Sequence, residues 1–476
     1  MTDNQTESPE KAAAGNTVIS DFGIDTTSRT TREAFGDYFA KVRGGEFGAL
    51  PAIGGLIVLL IVFSSLSGFF LTINNLANLI TQGAGETIIA IGIVFVLLLG
   101  EIDLSAGTAS GVCAAVLALH LNSNGNLLGA MGGTVYYAFI IVLALAAVLS
   151  VLMRIWAGAA LALVAVILLL SGFGPNAWLE MLLAVCVGGG IGVLTGVMVS
   201  KVRIPSFVVT LALFLAWNGV TIQLVGSAGT VPIRNSPTLF NVANGNLSVL
   251  GSWILLIVAG GGYAAVLLFR HFSRLRKGLV AQPTTMVLIK VTVVLVLAIV
   301  ATWLLTLNRS PNAIAVIKGV PYVVPVILVL MIVGTYVLDR TRYGRHIYAV
   351  GGNREAARRA GVDVDKIRMS VFVICSSLAA VGAIVYSSKI GSVSGGAGAG
   401  NELLFAVGAA VIGGTSLFGG RGRVRDAVIG GAVLATVNNG LGLLGFQAAT
   451  VNIVTGVVLL VAATVDAVSR RRASAR

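Results

Sequence analysis

The chain has few of the residues that soluble enzymes use most. Only 11% of its 476 residues are charged, against about 25% in soluble domains, and its mean hydropathy is +0.95. Its 3 histidines and 3 cysteines are scattered, which predicts neither a metal centre nor a disulfide framework. Cys113, Cys186 and Cys375 all fall in apolar sequence, where a cysteine packs as a small apolar side chain. These shortages indicate an integral membrane protein.

Phosphate-binding and catalytic motifs are also missing from the sequence. No lysine follows a glycine and precedes a serine or threonine, as the phosphate loop G-x-x-x-x-G-K-[ST] requires. There is no H-E-x-x-H pattern and no catalytic arrangement of cysteine and histidine. We therefore expect a chain that is not an enzyme, that hydrolyses no ATP itself, and that holds no cofactor and no metal.

Long apolar runs are what the sequence has in abundance. A membrane-spanning helix needs about 20 apolar residues, and the sequence offers fourteen candidate spans. They are 49–71, 84–100, 104–121, 134–153, 155–171, 177–200, 206–225, 250–269, 286–306, 321–338, 369–388, 403–418, 427–444 and 450–468. The run 403–418 is short enough to be a broken or half-depth helix. The predicted fold class is an all-α, polytopic transmembrane helical bundle.

The lysines and arginines predict the orientation of this bundle. With the N-terminus inside, 27 of the 32 basic residues lie on the cytoplasmic side and 4 outside, as the positive-inside rule requires. The net charge of +13 then follows from topology and needs no nucleic acid. We expect a polar, largely disordered cytoplasmic tail over 1–46, without signal-peptide character, and a transmembrane domain over 47–470. That domain includes a cytoplasmic loop over 339–368, and a basic cytoplasmic C-terminus follows over 471–476.

Two polar breaks interrupt the apolar sequence. The first contains Glu101, Asp103 and Ser105, and charges at membrane depth are costly enough to suggest a role in a transport pathway. Asp103 could instead cap the helix that begins near Leu104. The second break contains Gly413, Gly414 and Thr415. Each break precedes a helix rich in small residues, which is either an internal repeat of the kind found in transporters or a chance similarity.

Small and amide side chains within the runs predict close helix packing. Gly188, Gly192 and Gly196 recur every four residues and would let another helix approach closely. The amides need hydrogen-bond partners in an apolar environment. They would either bind neighbouring helices or line a path for a hydroxyl-rich solute, and the ones singled out are Asn218, Asn438 and Asn439.

The polar stretch 344–368 has the chemistry of a short docking helix. Asn353 is a good N-cap, the residues 354–360 are mostly good helix formers, and Gly361 suits the position after the helix. About two turns would form, which is marginal in water unless the helix packs against something. The alternative is a solvated charged loop.

Four short blocks together resemble a known family. They are EIDLS over 101–105, IPSFVVTL over 204–211, the stretch 344–361, and VIGGTSL over 411–417. In this order they resemble the membrane permease subunits of bacterial ABC sugar importers of the ribose, xylose and galactose group. The chain is most similar to the xylose type, which is longer than the ribose type and has a segment similar to Asn438-Asn439-Gly440.

The resemblance implies a ten-helix core with broken helices, in which additional spans such as 134–171 are peripheral insertions. It also implies that the polar stretch is a cytoplasmic coupling segment that sits in a cleft of a separate ATPase subunit. The residues that match this segment are Gly351, Gly352, Asn353, Arg354, Glu355, Ala356, Ala357 and Gly361. Small Ala356, Ala357 and Ala360 would let the partner approach closely.

The resemblance further implies partners, location and function. The partners would be a cytoplasmic ATP-binding subunit, an extracytoplasmic sugar-binding protein and a second permease copy, in the bacterial cytoplasmic membrane. We expect the chain to move a monosaccharide, such as the pentose xylose, into the cytoplasm by alternating access. The alternative is an ion-coupled secondary sugar carrier, although acidic residues deep in the apolar runs are few. A structural membrane scaffold is a third hypothesis.

Overall fold

The computed structural model describes residues 48–226, 229–279, 281–310 and 316–474. The predicted tail over 1–46 and the last two residues of the predicted C-terminus lie outside the described residues. The described helices are α1 (Leu50–Leu66), α2 (Ile73–Gln82), α3 (Ala84–Leu98), α4 (Ser105–Asn122), α5 (Leu127–Met131), α6 (Gly133–Leu152), α7 (Trp156–Ser171), α8 (Ala177–Val197), α9 (Ser206–Val225), α10 (Pro237–Asn244), α11 (Val249–Leu256), α12 (Gly262–Arg276), α13 (Thr284–Thr306), α14 (Val323–Arg340), α15 (Arg342–Gly352), α16 (Arg354–Arg359), α17 (Val364–Ile390), α18 (Glu402–Ile412), α19 (Val424–Leu443) and α20 (Ala448–Ser474).

The structure confirms a mostly helical membrane protein but does not confirm fourteen spans. Seven of the described helical segments are long and apolar enough to cross a membrane, or up to eight if the bent pair α2 and α3 counts as one span. Helices α1, α7 and α18 are apolar but shorter. The predicted run 403–418 falls short because α18 ends at Ile412, where the chain turns into a non-helical loop. The cytoplasmic orientation of the termini stays a prediction.

Helix α17 is central and packs between α3 and α8 through glycines on both neighbours. A Cβ added at Gly92 of α3 would lie 2.9 Å from the Cys375 carbonyl oxygen of α17. On α8, a Cβ at Gly188 or Gly192 would lie 2.6 Å or 2.5 Å from an α17 carbonyl oxygen. Contacts this short leave no room for a side chain, so the glycine spacing on α8 has the packing role expected of it.

The least buried spans are not the predicted insertion 134–171. In the segment Val249–Arg276, which joins α11 to α12 through a short π-helical turn, 11% of the most apolar residues are buried, and the share is 17% in α13 and also in α14. The corresponding value for α6 is 28%, since its Leu143 packs against Gly190 of α8. The more peripheral hairpin in the structure is therefore 249–306.

A short sheet leads into a non-helical segment within the bundle. Strand β1 (Thr230–Pro232) pairs antiparallel with β2 (Ser392–Ser394) beside the last turn of α4, where the Asn122 amide donates to the Pro232 carbonyl at 2.6 Å. The segment 395–401 then runs along α4 towards its first turn, where a Cβ at Gly107 would lie 2.6 Å from the Gly398 carbonyl oxygen. Gly398 has a φ of +76°, which favours glycine. Helix α18 begins only after this segment, so it is a half-length helix.

Candidate functional site

The four blocks of sequence lie together at one end of the bundle. At their centre is the turn 99–104, which joins α3 to α4. The residues around it come from the start of α9, from α15 and α16, from the start of α17, and from the loop 413–423 between α18 and α19. The four blocks are far apart in the chain, so only the fold brings them into one site.

Glu101 is the electrostatic centre of this site. Its Oε1 receives the Arg354 guanidinium at 2.7 Å and the Arg368 guanidinium through Nη2 at 2.7 Å and Nε at 2.8 Å. The Glu101 side chain is 5% exposed, that of Arg368 13%, and that of Arg354 43%. Charge-assisted hydrogen bonds of this length are among the strongest in proteins. Glu101 therefore joins the coupling segment 351–361 to the turn 99–104, whereas the sequence suggested a pathway residue.

Asp103 binds the first residue of α4. Its Oδ1 accepts the Ser105 backbone N–H at 3.0 Å and the Ser105 hydroxyl at 2.6 Å, so it satisfies a free N–H of the helix as the capping alternative expected, although Leu104 holds the N-cap position. Its Oδ2 is buried and has no hydrogen-bond partner among the described residues. Helix α4 therefore begins inside the protein, beside α17, and a buried carboxyl group accepts the free N–H of its first residue.

The IPSFVVTL block holds the other side of the same turn. The Ile102 backbone N–H donates to the Ser206 hydroxyl at 3.3 Å, and the Thr210 hydroxyl donates to the Ile102 carbonyl at 3.2 Å. Ser206 and Thr210 are buried on the first turns of α9. The turn is thus fixed through its backbone as well as its charge.

The glycine-rich loop 413–423 closes the site. The Gly420 N–H donates to the Leu98 carbonyl at 2.8 Å, and the Tyr348 hydroxyl donates to the Gly422 carbonyl at 2.9 Å. Burial raises the pKa of Tyr348 to about 12, so its hydroxyl keeps its proton. Gly413 lies directly against the Asp426 carbonyl, Gly414 has a φ of +117°, and Thr415 is buried. The two polar breaks of the sequence therefore touch each other.

The predicted coupling helix is present as α16. The Asn353 side chain accepts the Ala356 N–H at 2.9 Å, and Gly361 follows the helix with a φ of +82°. Ala356 and Ala360 are exposed, but Ala357 is 5% exposed and faces the bundle. Ala357 therefore packs against this chain, which corrects the expectation that it faces a partner.

The other residues of the segment 351–361 also fall into an exposed group and a packed group. Glu355 pairs with Arg358 at 3.4 Å and with Arg359 at 3.1 Å on the surface. Gly352 is open, whereas Gly351 lies directly against the Leu98 carbonyl. Sequence reasoning missed α15, although Thr341 caps it and its buried Ile347 and Val350 are spaced like one helix face.

The three amides of the predicted pathway lie elsewhere. Asn439 of α19 exchanges two hydrogen bonds with Asn75 of α2, at 2.8 Å and 3.0 Å, which is a packing role. Asn218 and Asn438 each keep a buried side-chain oxygen without a hydrogen-bond partner in the described part of the chain. The predicted pathway set therefore divides into a junction at one end of the bundle and separate intramembrane amides.

Sequence reasoning missed several acidic residues inside the bundle. Glu402 opens α18, and Glu86 of α3 and Tyr386 of α17 lie close enough to interact with its carboxylate. Glu180 of α8 pairs with His120 of α4 at 2.7 Å, and both side chains are fully buried. The signal was available, because single acidic residues in or beside apolar runs are functional suspects by default.

Comparison with known proteins identifies the family of the chain. The family model described as branched-chain amino acid transport system, permease component, matches residues 155–463. The chain belongs to this family of transport permeases. It is 31% identical over 438 residues to the xylose transport system permease protein XylH of Escherichia coli (strain K12), covering 91% of this chain and 95% of the relative.

Two ribose permeases are also similar. The chain is 31% identical over 429 residues to the ribose import permease protein RbsC of Escherichia coli (strain K12), covering 90% of this chain and 96% of that one. Its counterpart in Bacillus subtilis (strain 168) is 28% identical over 412 residues, covering 87% and 90%. No solved structure matches the chain. The family membership and the apolar helices together make the chain a multi-pass transport subunit and not an enzyme.

Proposed function

We propose that the chain is the membrane subunit of an ATP-driven importer that moves a monosaccharide into the cytoplasm. The observation that carries this proposal is the two-sided coupling segment. Its outer side carries exposed Ala356, Ala360 and the charges of Glu355, Arg358 and Arg359, while its inner side is bonded to the transmembrane helices through Arg354 and Ala357. A helix built in this way can receive a push from outside and pass it inward.

The partners follow from the same proposal. Since the sequence lacks a phosphate loop, a separate cytoplasmic ATP-binding subunit supplies the energy and contacts the outer side of α16. An extracytoplasmic sugar-binding protein delivers the sugar, and a second copy of the chain completes a dimer. Both termini lie in the cytoplasm of a bacterial cell. The names of the relatives support a pentose, with xylose as the first candidate.

The translocation path lies beside the segment 395–401 and not at the turn 99–104. Non-helical backbone within a membrane bundle is tolerated where it is buried in protein or lines a cavity, and broken helices mark binding sites in transporters. Glu402, the first residue of α18, places a buried carboxylate oxygen without a hydrogen-bond partner among the described residues next to Gly400. A carboxylate acceptor beside unwound backbone suits a solute rich in hydroxyl groups.

Docking is tested by comparing two neighbouring alanines. We expect Ala356→Trp to abolish co-purification with the ATP-binding subunit without lowering the thermal stability of the permease, because Ala356 is exposed. Ala357→Trp should instead destabilise the permease by about 1–3 kcal/mol, because the ring has to enter a packed interior. Unchanged co-purification of Ala356→Trp would contradict docking at α16.

The energy source separates this proposal from an ion-coupled carrier. Glu86, Glu180 and Glu402 inside the bundle favour the carrier, because ion-coupled transport uses intramembrane carboxyl groups. Uptake of labelled xylose into proteoliposomes holding the permease, the ATP-binding subunit and the binding protein decides between them. Uptake should require internal ATP and persist with a protonophore. Uptake without the ATP-binding subunit that collapses with the protonophore would establish the carrier.

A further inference from the structure

A single carboxylate oxygen binds the coupling segment 351–361 and the helix that follows it. Arg354 lies within the segment as the first residue of α16, and Arg368 lies beyond it in the second turn of α17. Both bind Glu101 Oε1, which belongs to neither helix. Glu101 therefore links two arginines that lie 253 and 267 residues away from it in the sequence.

Backbone contacts reinforce this bond. The Arg354 guanidinium also donates to the Leu99 carbonyl at 3.0 Å, and Gly351 lies directly against the Leu98 carbonyl. The Gly420 N–H binds that same Leu98 carbonyl at 2.8 Å. The turn 99–104 and the coupling segment are therefore in direct contact, with no gap that would let one move freely past the other.

Beyond the turn, contacts continue into the broken-helix region. Asp103 and Ser105 start α4, and the Gly107 and Gly111 positions of α4 lie against the segment 395–401. That segment leads directly into Glu402 and α18. A displacement of α16 thus has a route to the proposed path that does not pass along α14 or α17, the helices joined to the coupling region by the chain itself.

We propose that Glu101 is the positioning residue that transmits movement of the coupling segment to α4 and the segment 395–401. This role rests on the proposed function, since it needs an ATP-binding subunit that moves α16. The Glu101 carboxylate is 5% exposed and is bound by the guanidinium groups of Arg354 and Arg368. It acts by keeping two guanidinium groups, and the helices that carry them, in fixed register with the turn 99–104. Without it, α16 can move while α4 stays in place.

The test measures sugar taken up per ATP hydrolysed in the complete reconstituted complex. We expect Glu101→Gln to assemble with the ATP-binding subunit as the natural chain does, while this ratio falls by about 5- to 150-fold, the usual range for a coupling between two sites. Glu101→Asp should recover part of the loss. Asp365→Asn is the matched control, because Asp365 pairs with Lys201 at 3.3 Å in a partly exposed position.

The other outcomes are also decisive. An unchanged ratio in Glu101→Gln, an equal loss in Asp365→Asn, or failure of a stably inserted Glu101→Gln chain to bind the ATP-binding subunit would overturn the role of Glu101. If Glu101→Gln does not insert stably, Arg354→Gln tests the same link from its exposed side, and an unchanged ratio there overturns it. Absence of ATP-dependent uptake by the natural chain would overturn the proposed function itself.

Discussion

The carboxylates of Glu101 and Glu402 have opposite surroundings in the fold. Glu101 receives two guanidinium groups on one oxygen, whereas Glu402 keeps a buried oxygen without a hydrogen-bond partner among the described residues. A buried charge with matched partners holds elements together, and a buried acceptor without one is costly to stability and available to a ligand. Under the proposed function, Glu101 belongs to the part of the molecule that transmits movement, and Glu402 belongs to the part that contacts the solute.

The variant with the largest expected effect on stability removes Arg368, the more buried partner of Glu101. We expect Arg368→Met to lower the free energy of unfolding by about 3–5 kcal/mol, because it leaves a buried carboxylate with a single, half-exposed cation. Thermal unfolding in detergent measures the change. Arg358→Met is the control, since its pair with Glu355 is exposed and contributes little. Equal stability of the two variants would contradict the structural role of the bridge.

A second variant disturbs the contact between α15 and the turn 99–104 without changing a charged residue. Gly351→Ala places a methyl group against the Leu98 carbonyl, so α15 has to move away from the turn 99–104. We expect a loss of about 1–3 kcal/mol in stability, the usual cost of overpacking. Gly352→Ala is the neighbouring control, because no atom lies within 4 Å of the added Cβ. Loss of stability in both variants alike would show that this contact is not specific.

The variant with the smallest expected effect on stability is Glu402→Gln, and it tests whether Glu402 differs from Glu101. Glu402→Gln keeps the shape of the side chain and removes a charge that has no ion pair in the described residues, so the unfolding temperature should not fall. The KM for sugar uptake should rise about tenfold, because a hydrogen bond to a charged group is worth about 1.5–3 kcal/mol and the bond that the neutral amide keeps is worth about 0.5–1.5 kcal/mol. A fall in stability as large as that of Arg368→Met would show that Glu402 is structural.

Local features of the fold were predictable from the sequence. Asn353 and Gly361 bracket α16 as expected, because a helix cap depends on a few adjacent residues. Asp103 accepts the N–H of the first residue of α4 for the same reason. The glycine spacing on α8 predicted close helix contact, although the sequence did not identify α17 as the partner.

Long-range features were not predictable in the same way. Nothing near Glu101 in the chain points to Arg368, because 267 residues separate them. The inward face of Ala357 depends on what surrounds α16, which the composition of that helix does not encode. The count of fourteen spans relied on apolar length, and this measure cannot tell a full span from a half-length helix such as α18, whose end is set by the loop 413–423.

The glycine contacts of α17 have a consequence for how the protein is made. Helices α3 and α8 leave the ribosome long before α17, yet Gly92 of α3 and Gly188 and Gly192 of α8 pack against α17. Until α17 has been synthesised, these glycines lack the helix against which they pack. The packing of α3 and α8 on α17 can therefore be completed only after residue 390 has entered the membrane. Contacts between distant parts of a chain form slowly. The unfinished chain therefore exposes, within the membrane, glycine surfaces that the complete chain buries.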